Sequence, residues 1–207
     1  EYKRAIKLAP HFAPLYRNWA VMESYEDHVA EASNLMEKAA ELDRNDPQIF
    51  LLWGNIYRKS SKHLEANKKY TIAYNLAPQD PIILSAYGQS MSYLGYYEEA
   101  DKMLNDSIKA DLGFTSLKHI VINRTSLAYN SIEWGEYLVN QRDCVAAERK
   151  FNDAIKHCQI AINENASDPK LFATKAKAQF KLALLYFQIK EDNQAINKMT
   201  AIINSDV

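Results

Sequence analysis

The chain has 207 residues, 47% of them hydrophobic, and its 25 Lys and Arg against 26 Asp and Glu leave a formal net charge of -1. That balance excludes a global basic attraction for nucleic acid or anionic membrane, and no apolar run reads as a bilayer span or a signal peptide. Only 5 glycines and 6 prolines leave little room for hairpin turns or long loops.

Residues 1–12 begin EYKRAIKLAP, a short helical stretch with Tyr2, Ala5 and Pro10. Three units follow, 13–46, 47–80 and 81–114, on a beat of 34 residues: Trp19-Ala20, Trp53-Gly54 and Tyr87-Gly88 recur in step. Ala32, Ala66 and Ala100 fall on the same beat, each followed four residues on by Met36, Tyr70 or Leu104, then by Ala39, Ala73 or Ser107. Asp46-Pro47 and Asp80-Pro81 open two units with an aspartate cap and proline in the first helical turn. Gly54 lies inside FLLWGNIYRKS, which otherwise reads as helix, at a cost of about 1 kcal/mol relative to alanine. Such a glycine marks close approach of a neighbouring helix. Alanine is expected to be tolerated at Gly54 and Gly88, because Ala20 fills the same place, and leucine is expected to overpack the pair.

Beyond residue 114 the beat lengthens. Trp134, Gly135, Ala147, Phe151 and Ala154 repeat the pattern in a unit spanning 115–167, with helices expected over 116–139 and 143–164. A last, degenerate unit over 168–207 keeps Leu182, Ala183, Tyr186, Ala195 and Met199 and opens on Asp168-Pro169. Phe180, Leu184 and Phe187 are expected to be core between its lengthened helices, or else a binding surface.

These residues resemble the tetratricopeptide repeat family, whose unit is a helix–turn–helix of 34 residues with a W-x2-L-G-x2-Y, A-x3-F, A, P pattern. The second unit matches nearly throughout, at Phe50, Trp53, Gly54, Tyr57, Ala66, Tyr70, Ala73 and Pro78. The resemblance implies an all-α fold: a right-handed superhelical solenoid of about five antiparallel helix pairs plus a leading single helix. The whole of 1–207 would be one such domain, with 1–12 the second helix of a preceding repeat. Opening at Glu1 without methionine and in mid-unit, the chain is expected to be a fragment of a longer protein.

Cys144 and Cys158 fall on one expected helix, about 21 Å apart at 1.5 Å rise per residue, too far for a disulfide. Free thiols suit a reducing compartment, so a cytoplasmic location is expected. Phosphate-binding glycine loops, a nucleophile elbow and zinc-ligand spacing are all missing. His157-Cys158 reads as a surface or interface pair. No cofactor, metal or catalytic residue is expected, and the chain reads as non-enzymatic.

A stack of helix pairs makes a long concave surface, and the resemblance implies that the first helix of each pair lines it. The side chains expected there, as a partner-binding face, are Arg17, Val21, Gln48, Leu51, Asn55, Arg58, Ile82, Ser85, Gln89, Tyr93, Tyr129 and Glu136, with Ser24, Ile132 and Asn140 beside them. Asn55 offers both donor and acceptor to a peptide backbone, and Arg58 can hold a carboxylate bidentately. Arg17, Asn55 and Arg58 are expected to form a polar rung whose truncation leaves the packing intact. The clamp that chaperone-binding relatives use for a C-terminal carboxylate is missing, since its places hold Arg17, Val21, Leu52, Ile82 and Ala86. The expected function is a protein-interaction scaffold for a partner peptide or protein surface, with no nucleic acid and no membrane. The alternative is the sensor arm of a larger signalling (STAND-type) ATPase whose catalytic domain lies elsewhere.

Overall fold

The computed structural model describes residues 1–111, 117–164 and 168–205, with side chains described for all of these except 117–118 and 194–205. Among the described residues there are ten helices and no strand: α1 (Tyr2–Leu8), α2 (Ala13–Tyr25), α3 (Val29–Leu42), α4 (Pro47–Lys59), α5 (His63–Leu76), α6 (Pro81–Tyr93), α7 (Tyr97–Ala110), α8 (Leu117–Asn140), α9 (Cys144–Glu164) and α10 (Pro169–Ser205). They fall into two compact units, Glu1–Phe114 and Thr115–Val207.

Aspartate caps set the helix starts. The carboxylate of Asp46 accepts the Gln48 amide at 2.9 Å, that of Asp80 accepts Ile82 at 2.8 Å, and that of Asp168 accepts Lys170 at 2.9 Å. Each stands before a proline whose missing N–H would have had no partner inside the helix.

In the first unit, α2–α3, α4–α5 and α6–α7 are antiparallel pairs closed by three-residue loops. The small residue of each first helix faces the bulky residue sixteen positions later. A Cβ on Gly54 would lie 2.5 Å from Cε1 of Tyr70, and one on Gly88 would lie 2.9 Å from Cγ of Leu104. This corrects the expectation that alanine fits everywhere. Ala20 is accommodated where the residue sixteen on is the unbranched, flexible Met36, but a rigid phenol lies across Gly54. Ala32, Ala66 and Ala100, all essentially inaccessible, let the second helix approach in turn. α3 also packs on α4 and α5 on α6, burying Ile49 and Ile56 of α4 and Ile83 of α6.

The second unit follows the same rule with longer helices. α8 and α9 begin and end within a residue of the expected spans, and a Cβ on Gly135 would meet Cε1 of Phe151 at 2.5 Å. The expected start at 116 lies outside the described residues. Along α9, Ala147, Phe151, Ala154, Cys158 and Ala161 are buried at alternating four- and three-residue steps, the spacing of a helix seam. α10 lies against α9 and α8, contributing Leu171, Ala178 and Leu185 to three small cores. Where the sequence suggests a degenerate fifth repeat, residues 169–205 form one uninterrupted helix of 37 residues.

Candidate functional site

In the first unit, consecutive first helices approach one another: α2 and α4, and α4 and α6, have Cα atoms within 8 Å. Among the described residues the second helices α3, α5 and α7 do not. The stack is therefore tighter on the first-helix side, which makes that side its inner face.

Counted from the small residue of each first helix, Val21, Asn55 and Gln89 occupy the same next position, and all three are half-buried. Ile82 and Tyr93 are exposed, and Gln48 is half-buried. The Tyr93 ring stacks on His63 with centroids 4.7 Å apart. Two expected surface residues are not surface. Leu51 and Ser85 are only 3% and 5% exposed, because they share a helix position that neighbouring first helices cover; Ser24, 8% exposed, is buried too.

The three residues expected to form one polar rung fall into two separate groups, each already engaged. Arg17 Nη1 donates to Oδ2 of Asp46 at 2.7 Å, while the other oxygen of the same carboxylate caps α4. Asn55 and Arg58 converge on the hydroxyl of Tyr70, which donates to Asn55 Oδ1 at 2.8 Å and accepts from Arg58 Nε at 3.3 Å. The Tyr70 ring is fully buried, and burial raises its phenol pKa against the opposing pull of Arg58. Removing Asn55 would thus leave the proton of a buried hydroxyl without its acceptor, contrary to the expectation that truncation spares the packing. The sequence did not reveal this, because the hydroxyl belongs to the second helix.

In the second unit, Tyr129 is exposed and Glu136 pairs with Lys181 of α10 at 3.0 Å. Ile132 is fully buried. Glu136 and Asn140, with Phe151, Lys181 and Leu184, line an open cleft of about 220 Å³ between α8, α9 and α10. Phe180, Leu184 and Phe187 are not core: they are 61%, 46% and 60% exposed on α10.

Among the described residues no group of three or more His, Cys, Asp or Glu side chains could hold a metal ion. His157 is sunk beside Arg124, whose Nη1 lies 3.5 Å from Nδ1. Burial, reinforced by the Arg124 charge, lowers its pKa to about 4. Burial also raises the Cys158 thiol to about 11, which makes it a poor nucleophile at neutral pH. No helix among the described residues is long and apolar enough to cross a membrane.

No family model matches the chain. It is 24% identical over 199 residues to a tetratricopeptide repeat protein 30 homolog of Aedes aegypti, an alignment spanning 88% of this chain but 28% of that protein. Among solved structures it is similar to YrrB, described as a TPR protein with an unusual peptide-binding site, with a TM-score of 0.56 at 17% identity over 92% of this chain and 97% of that one. MamA gives a TM-score of 0.57 at 14% identity over 78% and 87% of the two chains, and yeast Tom70 gives 0.52 at 14% over 91% and 43%.

Proposed function

From a tetratricopeptide-repeat fold, which is the architecture of a protein-interaction scaffold, we propose that this chain binds a partner's peptide segment or protein surface without catalysis. The binding face is the inner side of the first unit, and the observation that carries the reading is the side-by-side stacking of α2, α4 and α6. That stacking sets Val21, Asn55 and Gln89 in one row, with Ile82, Arg58 and Tyr93 exposed beside it. The row combines amide donors and acceptors with apolar contact, which suits an extended backbone. Arg58 is the one of these residues that can engage a carboxylate, and its Nη atoms would have to do so, since Nε donates to the Tyr70 hydroxyl. In the second unit, Tyr129 and Glu136 occupy the positions equivalent to Ile82 and Gln89 and extend the proposal there. The compartment we propose is the cytoplasm, on the strength of two free thiols.

The test avoids Asn55, whose loss would disturb Tyr70. Partners captured by the wild type are titrated against an Ile82→Asp/Gln89→Lys variant whose circular dichroism and melting temperature match the wild type. At least a tenfold loss of affinity is expected. Retention of every partner at full affinity would move the binding site off this face.

A further inference from the structure

Four helix pairs share one apex. Counted from Ala20, Gly54, Gly88 and Gly135, the first helix ends five residues on and the second begins nine on. Seven residues on, the backbone turns left-handed: φ is 61° at Asp27, 58° at Ser61, 83° at Gly95 and 61° at Arg142. Twelve residues on stands a buried alanine (Ala32, Ala66, Ala100, Ala147), and sixteen on stands the bulky residue that covers the small one.

α10 carries the same series. It is docked on α9 as a first helix docks on the preceding second helix: Ala178 and Leu185 are buried at the places that Ile49 and Ile56 hold in α4. That register makes Ala183 the small residue, Ala195 the alanine twelve on and Met199 the bulky residue sixteen on. Lys190 is then the left-handed position, inside the run Lys190-Glu191-Asp192-Asn193-Gln194, which holds no apolar residue. Yet α10 continues straight through it. The small residue is buried in the four closed pairs, whereas Ala183 is exposed. Ala176, Phe180 and Phe187 are exposed with it, about half a helical turn away from Leu171, Ala178 and Leu185.

We infer that α10 is a helix pair held open, and that residues 192–205 are its second helix, which folds back over Ala176, Phe180, Ala183 and Phe187 by turning at Lys190. The occupant of this apolar face is the chain's own segment because that segment alone carries the twelve- and sixteen-residue partners in register. A tethered segment also acts at high effective concentration. A left-handed lysine is no more strained than the left-handed Arg142 that closes α8 on α9. A straight α10 cannot present both halves to one neighbouring helix, since residues sixteen apart on it point to nearly opposite sides. This disfavours an exchange of arms between two copies.

The experiment places cysteines at Ala183→Cys and Met199→Cys in the full chain, with Cys144→Ser to remove the half-buried thiol. In a straight helix these positions are about 24 Å apart, beyond any disulfide. Under mild oxidation the expected product is an intrachain disulfide in a monomer, found by peptide mapping. Adding Lys190→Gly, which frees the left-handed conformation, should raise its yield at least twofold. Spin labels on the same two cysteines, measured by pulsed electron resonance, should show a short-distance population that grows with Lys190→Gly. An interchain disulfide, or a single long distance with no intrachain product in either background, would overturn the proposal.

Discussion

In Glu1–Phe114 each repeat pair joins helices of 13 and 14 residues, whereas the pair in Thr115–Val207 joins helices of 24 and 21. The apex is nevertheless identical, down to the left-handed residue and the sixteen-residue contact. All the added length lies at the open ends. Seven residues separate each helix start from its small residue in the first unit, and eighteen separate Leu117 from Gly135. Even the cation–π contacts keep the register: Lys69 sits 3.2 Å from the Trp53 ring centroid, and Lys150 sits 3.6 Å from that of Trp134, again sixteen residues on. What specifies a pair is thus its closed end, and helix length is free to vary. The interiors differ as well. The first unit buries Trp53, Tyr70 and Phe50 together with small polar residues such as Ser24, Ser85, Ser90 and Ser107, while the second buries the amides of Asn123 and Asn130 and holds a half-buried His157 beside an arginine.

That last difference gives the largest expected effect. His157 is held neutral in the fold, with a pKa of about 4 against 6.5 when unfolded. Protons therefore bind the unfolded chain first. The contribution of neutral His157 is complete above pH 6.5 and is lost as pH falls toward 4, a change of about 3 kcal/mol at most. In the first unit His28 runs the other way: its hydrogen bond to Glu23 raises its pKa. Its contribution is present at low pH and lost as pH rises, and it is small because the pair is at the surface. Hydrogen exchange of α9 amides between pH 4.5 and 7 should show the acid loss, and His157→Gln should abolish it. Identical α9 protection at both values, after correction for intrinsic rates, would refute the neutral state of half-buried His157.

The next largest effect tests the shared apex. Gly54→Ala and Gly135→Ala drive a Cβ into an aromatic ring and should each cost about 1–3 kcal/mol. Gly88→Ala should cost less, because the Leu104 side chain can shift. The double change Gly54→Ala/Tyr70→Met rebuilds the Ala20–Met36 combination and should recover most of the loss in thermal melts. A Gly54→Ala protein that melts with the wild type would show that the close approach is not real.

The smallest effect is confined to the first unit, since Leu104 and Phe151 have no hydroxyl where Tyr70 has one. Tyr70→Phe unpairs Asn55 and Arg58 and should cost about 0.5–1.5 kcal/mol in denaturant unfolding. A neutral or stabilised variant would mean that the Asn55–Tyr70–Arg58 contact contributes nothing net.

Much of this fold is legible in the residues. The beat of small, alanine and bulky positions locates the pairs, and Asp46, Asp80 and Asp168 announce three helix starts, because capping is local chemistry. What is not legible depends on neighbours distant in sequence. Leu51 and Ser85 look like groove residues within their own helix, and only the adjacent first helices bury them. Asn55 looks free until Tyr70 arrives from the second helix. Ala20 suggests that Gly54 could be alanine, but the answer rests on whether methionine or tyrosine stands sixteen residues away. Phe180 and Phe187 have the composition of core, yet nothing in the sequence specifies which side of α10 is covered.

The fixed apex has a consequence for chain entropy. Bringing Gly54 to Tyr70 closes a loop of sixteen residues, whereas the outer layer of the long pair brings Val121 to Ala161 across forty. For a flexible chain that difference costs only about 0.8 kcal/mol. Once the apex is formed even that is largely avoided, because each inner layer holds the next one near its place. Lengthening a pair at its open end therefore adds buried surface at almost no extra cost of closure, whereas an insertion at the three-residue apex would shift every layer beyond it.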